Sequence, residues 1–214
     1  MAPARNTSKD LPMAARGFFR IALILGLSSA IGPFAIDMYL PALPTIGGDL
    51  KVGPAAVQMT VMAFLIATGA CQLFYGPAAD IFGRKAPIYF GIGLFVVGSI
   101  GCALAPNVET LIAFRVVQGV GACAGAVVPR AIVRDLHTGA EAARLMSLLM
   151  LVFSVSPILA PLTGSFVIGL VGWRGVFWVV AGLGALGIVL VAVALKETRP
   201  VHARADATWR SSIT

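Results

Sequence analysis

One charged stretch, residues 76–85, decides the architecture of this chain, and it reads Gly-Pro-Ala-Ala-Asp-Ile-Phe-Gly-Arg-Lys. Apolar runs flank it on both sides, from Ala55 to Tyr75 and from Ala86 to Leu104. Each run has about 20 residues, which is enough to cross about 30 Å of hydrocarbon as a helix. The stretch therefore predicts a kinked connection between two membrane spans, with Arg84 and Lys85 at a membrane surface.

Composition places the whole chain in a lipid bilayer. Hydrophobic residues make up 58% of the 214 residues and charged residues only 12%, which is more apolar surface than a soluble domain of this size can bury. The net charge of +7 arises from short basic segments between apolar runs, so it indicates membrane topology and not nucleic-acid binding. The three cysteines lack metal-ligand spacing and are interpreted as buried apolar residues, so we expect no metal site. No nucleophile–base set or phosphate-binding loop is recognisable, which disfavours an enzyme.

The apolar runs predict an all-α bundle of six transmembrane helices, at residues 18–40, 55–75, 86–104, 110–128, 145–171 and 175–195. Of the 16 Lys and Arg residues, 13 lie in segments that this arrangement assigns to one side, whereas only Lys51 and Arg174 lie on the other. The positive-inside rule therefore predicts cytoplasmic termini. Residues 1–17 would form a cytoplasmic segment and residues 196–214 a disordered cytoplasmic tail.

Spans 1–3 and 4–6 form two triplets, each of which opens with a helix that carries an ionisable residue, Asp37 or Arg115. Because each triplet has an odd number of spans, the two would be inverted relative to each other, as in many secondary transporters. We therefore predict a 3+3 inverted repeat.

Arg115 and Asp37 are the candidate residues for chemistry inside the membrane. Arg115 shares a helical face with Gln118 and Gly119, which favours a cation beside a water-accessible cavity over an Arg that snorkels to the outer surface. Asp37 lies among Pro33, Pro41 and Pro44, and broken helices at membrane depth are tolerated where they line a cavity. It is either a site of proton binding and release or a helix-end residue that satisfies nearby amides.

Glycines, prolines and aromatic residues complete the list of candidate residues. Gly119, Gly121 and Gly125 suit close helix packing, while Pro157, Pro161 and Gly164 predict a bend in span 5. Three aromatic side chains could line a cavity for flat apolar substrates: Phe34, Tyr39 and Phe64.

These motifs resemble the N-terminal half of a major facilitator superfamily drug/proton antiporter of the Bcr/CflA (bicyclomycin/chloramphenicol resistance) type. The stretch 76–85 matches the superfamily motif Gly-x-x-x-Asp-x-x-Gly-Arg-Lys through Gly76, Asp80, Gly83, Arg84 and Lys85. Span 4 matches Arg-x-x-Gln-Gly-x-Gly through Arg115, Gln118, Gly119 and Gly121, and residues 37–44 look like the span 1 signature of the Bcr/CflA group. Span 5 is similar to the antiporter motif Gly-Pro-x-x-Gly-Gly, with Ala160 and Ser165 in place of two glycines.

The resemblance implies proton-coupled efflux of a small amphipathic or apolar drug across the bacterial inner membrane, with the proton gradient as energy source and no cofactor. It assigns proton coupling to Asp37, Arg115 and Gln118, and conformational gating to the motif in residues 76–85. In the family the substrate cavity lies between two six-helix halves, so this chain would need a complementary C-terminal half or a second copy. The alternatives are a non-transporting truncated protein or interaction module and a half-transporter that acts as a homodimer.

The missing half also affects the gating motif. Because the family's motif clasps the second half, Asp80, Arg84 and Lys85 are expected to have fewer contacts in this chain than the motif implies.

Overall fold

The computed structural model describes residues 11–195 and 197–198, and every long element within them is a helix. The helices are α1 (Leu11–Asp37), α2 (Leu43–Leu50), α3 (Pro54–Ile81), α4 (Lys85–Ala103), α5 (Val108–Leu136), α6 (Gly139–Val171) and α7 (Trp173–Ala194), with a 3-10 turn at Leu40–Ala42. All but α2 are long and apolar enough to cross a membrane. The predicted six-helix membrane bundle is therefore confirmed. Residues 1–10, 196 and 199–214, which include most of the two predicted cytoplasmic segments, lie outside the described residues.

The helices extend past the predicted spans, mainly at the end that the charge bias assigns to the cytoplasm. α1 begins at Leu11, α3 continues to Ile81, and α5 continues to Leu136. The connection predicted at residues 76–85 is therefore only Phe82, Gly83 and Arg84, since Gly76 to Ile81 are helical. The difference has a simple cause, because hydropathy marks the part of a helix in hydrocarbon and not the polar turns that continue into water.

Gly83 makes the sharp turn between α3 and α4 possible. Its φ is +86°, in the left-handed region that side chains with a Cβ rarely adopt. Two long helices are thus connected by three residues, which holds their ends together at the membrane surface.

The first helix breaks at Asp37, as its flanking prolines predict. The Tyr39 amide donates to the Ile36 carbonyl at 3.1 Å, so the chain tightens into a 3-10 turn and the α-helical bond from Tyr39 to the Ala35 carbonyl is not made. The C-terminal end of α1 therefore has an available main-chain acceptor inside the bundle.

The packing of the six spans has an internal symmetry. α5 packs on α1, α3 and α4, whereas α1 packs on α5, α6 and α7, and α4 packs on α7. Exchanging α1 with α5, α3 with α6 and α4 with α7 leaves these pairs unchanged, whereas α5 also contacts α6 without a comparable α1–α3 contact. The pairing is therefore close to that expected for two related triplets, and their inversion stays a prediction. α3 and α6 are the two most exposed spans, each with 22% of its apolar window buried.

Candidate functional site

Arg115 lies at the centre of the bundle and has no exposed surface. Its Nη1 donates to the Ala35 carbonyl at the broken end of α1 (3.3 Å) and to Gln118 Oε1 (2.7 Å), and its Nε donates to the Thr60 carbonyl of α3 (3.3 Å). Gln118 Nε2 in turn donates to Ser99 Oγ of α4 at 2.8 Å. Arg115 and Gln118 thus connect α5 to α1, α3 and α4.

Two aromatic rings pack against the Arg115 guanidinium. The centroids of Tyr39 and Phe64 lie 4.4 and 4.5 Å from its Cζ, and both residues are fully buried. The Tyr39 hydroxyl is within 2.6 Å of Thr60 Oγ1, which fixes that ring. Cation–π contacts of this kind stabilise a desolvated cation by about 2 kcal/mol each.

These rings correct two sequence-based interpretations. Tyr39 and Phe64 do not line an open cavity as predicted, because they are packed against the cation that they shield. Phe34 is half-buried and packs against the core. Arg115 does not snorkel to the outer surface, since the break in α1 provides a carbonyl acceptor within the bundle. The predicted water-accessible cavity beside it is wrong for the described residues, because the Arg115 side chain has no exposed surface.

No carboxylate forms an ion pair with Arg115 among the described residues. Its Nη2 has no hydrogen-bond partner there either. Removing a charge from water costs several kcal/mol, and here only carbonyls, an amide and two rings compensate for that cost.

Asp37 is the last residue of α1, two positions after the carbonyl that Arg115 binds. It is half-buried, and its Oδ2 accepts a hydrogen bond from Ser156 Oγ of α6 at 3.1 Å. The structure therefore brings Asp37 and Arg115 to the same end of α1 without a direct ion pair, and their coupling stays a prediction.

The predicted packing glycines lie against three different helices. A Cβ at Gly119, Gly121 or Gly125 would come within 2.3–2.5 Å of main-chain atoms in α3, α4 or α1, respectively. A Cβ at Gly164 of α6 would likewise come within 2.4 Å of the carbonyl oxygen of Met38, the residue after Asp37. Pro157 and Pro161 lie inside α6 and do not end it.

Gly164→Ala is expected to destabilise the bundle by about 1–3 kcal/mol, because its methyl group must separate α6 from the Met38 main chain. Thermal unfolding of the purified protein in detergent measures the effect. Gly169→Ala is the matched control, since no atom lies within 4 Å of its added Cβ, and Ala raises helix propensity there. Equal unfolding temperatures for the two variants would show that α1 and α6 are not closely packed.

A second polar group consists of Asp80, Arg84, Asp135 and Glu197. It is here called the cytoplasmic charge cluster, because the distribution of Lys and Arg predicts that this end of the bundle faces the cytoplasm. The Arg84 guanidinium contacts both oxygens of Asp135, at 2.7 and 3.1 Å, and Asp80 Oδ1 at 2.9 Å. Burial alone would favour neutral Arg84, but the hydrogen bonds and charges of Asp135 and Asp80 outweigh it and raise the Arg84 pKa above its ordinary value. The Glu197 carboxylate accepts from the amides of Arg84 (2.9 Å) and Lys85 (3.2 Å), which are at the N-terminus of α4.

The expectation of few contacts at this motif is wrong for Arg84, which is 5% exposed and bonded on three sides within this chain. The sequence did not indicate Asp135 or Glu197 as members of this cluster. The only feature of the sequence that distinguishes Asp135 is its acidic side chain in a basic segment, which also carries Arg130 and Arg134. Gly76 of the same motif has no such close contact, because no atom of the described residues lies within 4 Å of a Cβ built there.

Comparison with protein families matches residues 25–212 to the family described as Major Facilitator Superfamily. An uncharacterized MFS-type transporter of Bacillus subtilis, YdgK, is 41% identical over 195 residues, which are 90% of this chain and 48% of that protein. A bicyclomycin resistance protein homolog of Haemophilus influenzae is 35% identical (84% of this chain, 45% of that protein). The multidrug resistance protein MdtL of Escherichia coli O139:H28 is 36% identical (81% and 44%). The chain thus spans about half the length of these relatives.

Solved structures share the fold at low sequence identity. The proton:xylose symporter XylE superposes with a TM-score of 0.76 at 16% identity, covering 86% of this chain and 46% of that one. The human organic anion transporter MFSD10 superposes with a TM-score of 0.72 at 18% identity, covering 87% and 50%.

Proposed function

The chain belongs to the major facilitator superfamily, and we propose that it forms the N-terminal half of a twelve-span drug/proton antiporter of the bacterial inner membrane. One observation carries the proposal. The half-buried carboxylate of Asp37 ends a broken transmembrane helix, and a fully buried, unneutralised Arg115 binds that same helix end. Ionisable residues at membrane depth mark ion pathways, and the break is tolerated where it adjoins a cavity.

In the proposed cycle Asp37 carries the proton. Its Oδ2 is held by Ser156, so the carboxylate connects α1 to α6, one of the two most exposed spans. Protonation removes a negative charge at this junction. Proton binding on one side and release on the other would bias the rocking of this half against its complement.

The cytoplasmic charge cluster would act as the gate. A cleft of about 290 Å³ lies between α3 and α5 beside this cluster, and Gly76 forms part of its wall. A Cβ at Gly76 would meet no atom of the described residues within 4 Å, so a helix of the second half could pack on that surface. Arg84 would keep the gate rigid, since Asp80 and Asp135 already hold it.

The substrate would be a small amphipathic or apolar drug. The relatives with resistance functions in their names, at 35–36% identity, support this class. Both termini would be cytoplasmic, as the distribution of Lys and Arg predicts.

The test is efflux of a fluorescent apolar drug from vesicles under an imposed pH gradient. The chain is assayed alone and with the C-terminal six spans of a relative. We expect gradient-dependent export only with both halves, and its loss when a protonophore is added. Export by the chain alone at a dimeric mass would support the homodimer instead. Copurification of the halves without export would overturn the proposed transport function.

A further inference from the structure

A group of charged and aromatic side chains lies at the N-terminal end of α7, whereas the cytoplasmic charge cluster adjoins its other end. Asp49 Oδ2 accepts hydrogen bonds from Trp173 Nε1 at 2.9 Å and from Arg174 Nη1 at 2.7 Å. Arg174 Nη2 also donates to the Ala105 carbonyl at 3.2 Å, and the Arg174 Cζ lies 4.1 Å from the centroid of the Trp173 ring. We call Asp49, Trp173 and Arg174 the outer clamp, because the distribution of Lys and Arg predicts that this end faces outward. The clamp joins α2, the connection between α4 and α5, and α7.

The outer clamp has the same place in the fold as the cytoplasmic charge cluster when the two triplets of spans are exchanged. In each group an arginine at the start of the third span of one triplet binds the penultimate residue of the first span of the other. The pairs are Arg84 with Asp135, and Arg174 with Asp49. A glycine of positive φ turns the chain shortly before each arginine, Gly83 at +86° and Gly172 at +77°. The two ends of the bundle therefore carry related constructions.

Three buried rings connect the outer clamp to Arg115. The centroids of Trp173 and Phe177 are 6.1 Å apart, and those of Phe177 and Tyr39 are 5.4 Å apart. Tyr39 in turn packs against the Arg115 guanidinium. All three rings are at most 3% exposed. Because packed interiors contain few voids, a movement of α7 at the clamp must also move the ring beside Arg115.

We propose that the outer clamp is a second gate, which holds the outer ends of α2, α5 and α7 together and releases them when this half rocks. The Arg174 and Asp49 side chains are 41 and 48% exposed. Water can therefore replace their contact at small cost, as a contact that opens in each cycle requires. The role in transport rests on the function proposed above, whereas the opening of this end is a property of the chain itself.

The alkylation rate of native cysteines in the purified chain, measured by peptide mass spectrometry with a maleimide, tests the proposal. Cys102 is buried in the apolar cluster that includes Trp173, so the reagent reaches it when the outer end opens. Cys123, buried in the other apolar cluster, is the internal reference. Arg174→Gln should raise the Cys102 rate about fivefold, as loss of a partly exposed ion pair predicts, and leave Cys123 unchanged.

Lys51→Gln is the matched control, because it removes a cation from the same predicted surface that forms no ion pair among the described residues. It should leave the Cys102 rate unchanged. Asp49→Ala should raise that rate, and adding Arg174→Gln should raise it no further, since both changes break one contact.

Two results would overturn the proposal. One is an unchanged Cys102 rate in both Arg174→Gln and Asp49→Ala. The other is an equal rise for Cys102 and Cys123, because the clamp would then stabilise the whole bundle and not gate one end. The measurement needs neither a drug nor a second half, so its outcome is independent of the proposed export.

Discussion

Replacing Asp37 with Asn is expected to reduce proton-driven export to background in any assembly of this chain that transports. Asn retains a carbonyl oxygen that can accept the bond from Ser156 Oγ, so the junction between α1 and α6 keeps its geometry. It cannot release a proton, however, so the site stays uncharged at every pH. The measurement is drug efflux from vesicles as a function of the imposed pH gradient.

The controls separate loss of the proton site from loss of structure. Asp37→Glu retains a carboxylate and should retain part of the activity with a changed pH profile. Ser156→Ala removes only the hydrogen bond, so it should lower the rate and still leave a dependence on the gradient. Undiminished gradient-driven export by Asp37→Asn would exclude the proposed role of Asp37.

The number and order of the spans followed from sequence because apolar runs of about 20 residues have few alternatives to crossing a bilayer. Local chemistry also predicted the break near Asp37, where Pro41 and Pro44 follow within seven residues. Both inferences use information that is contiguous in the chain.

Contacts between residues that are far apart in the chain could not be predicted from the sequence. Asp135 is 51 residues from Arg84 and Glu197 is 113 residues away, and no spacing rule connects them. The two rings over Arg115 were misinterpreted for a related reason. The break in α1 predicts that the chain turns at Asp37, but only the packing of α1 and α3 on α5 brings both Tyr39 and Phe64 against one guanidinium.

Arg115 gives a prediction in which the conservative substitution is the more damaging one. Arg115→Lys keeps the charge, but its compact, strongly hydrated ammonium cannot bind the Ala35 and Thr60 carbonyls as the planar guanidinium does between the two rings. A buried cation with imperfect partners is unfavourable where no carboxylate of the described residues pairs with it. We expect Arg115→Lys to lower the free energy of unfolding by about 3 kcal/mol.

Arg115→Met removes the charge and fills much of the same volume between Tyr39 and Phe64. It loses the hydrogen bonds and the cation–π contacts of the guanidinium. It also removes the desolvation cost of the buried cation, and replacing buried ionic groups with apolar side chains of similar volume is often neutral in net stability, so the net change should be smaller than for Lys. In detergent, Arg115→Met should therefore unfold at a higher temperature than Arg115→Lys. Both variants should be inactive in drug export. If Arg115→Lys were as stable as the unaltered chain while Arg115→Met was unfolded, the bundle would require the charge itself and not the shape of the guanidinium.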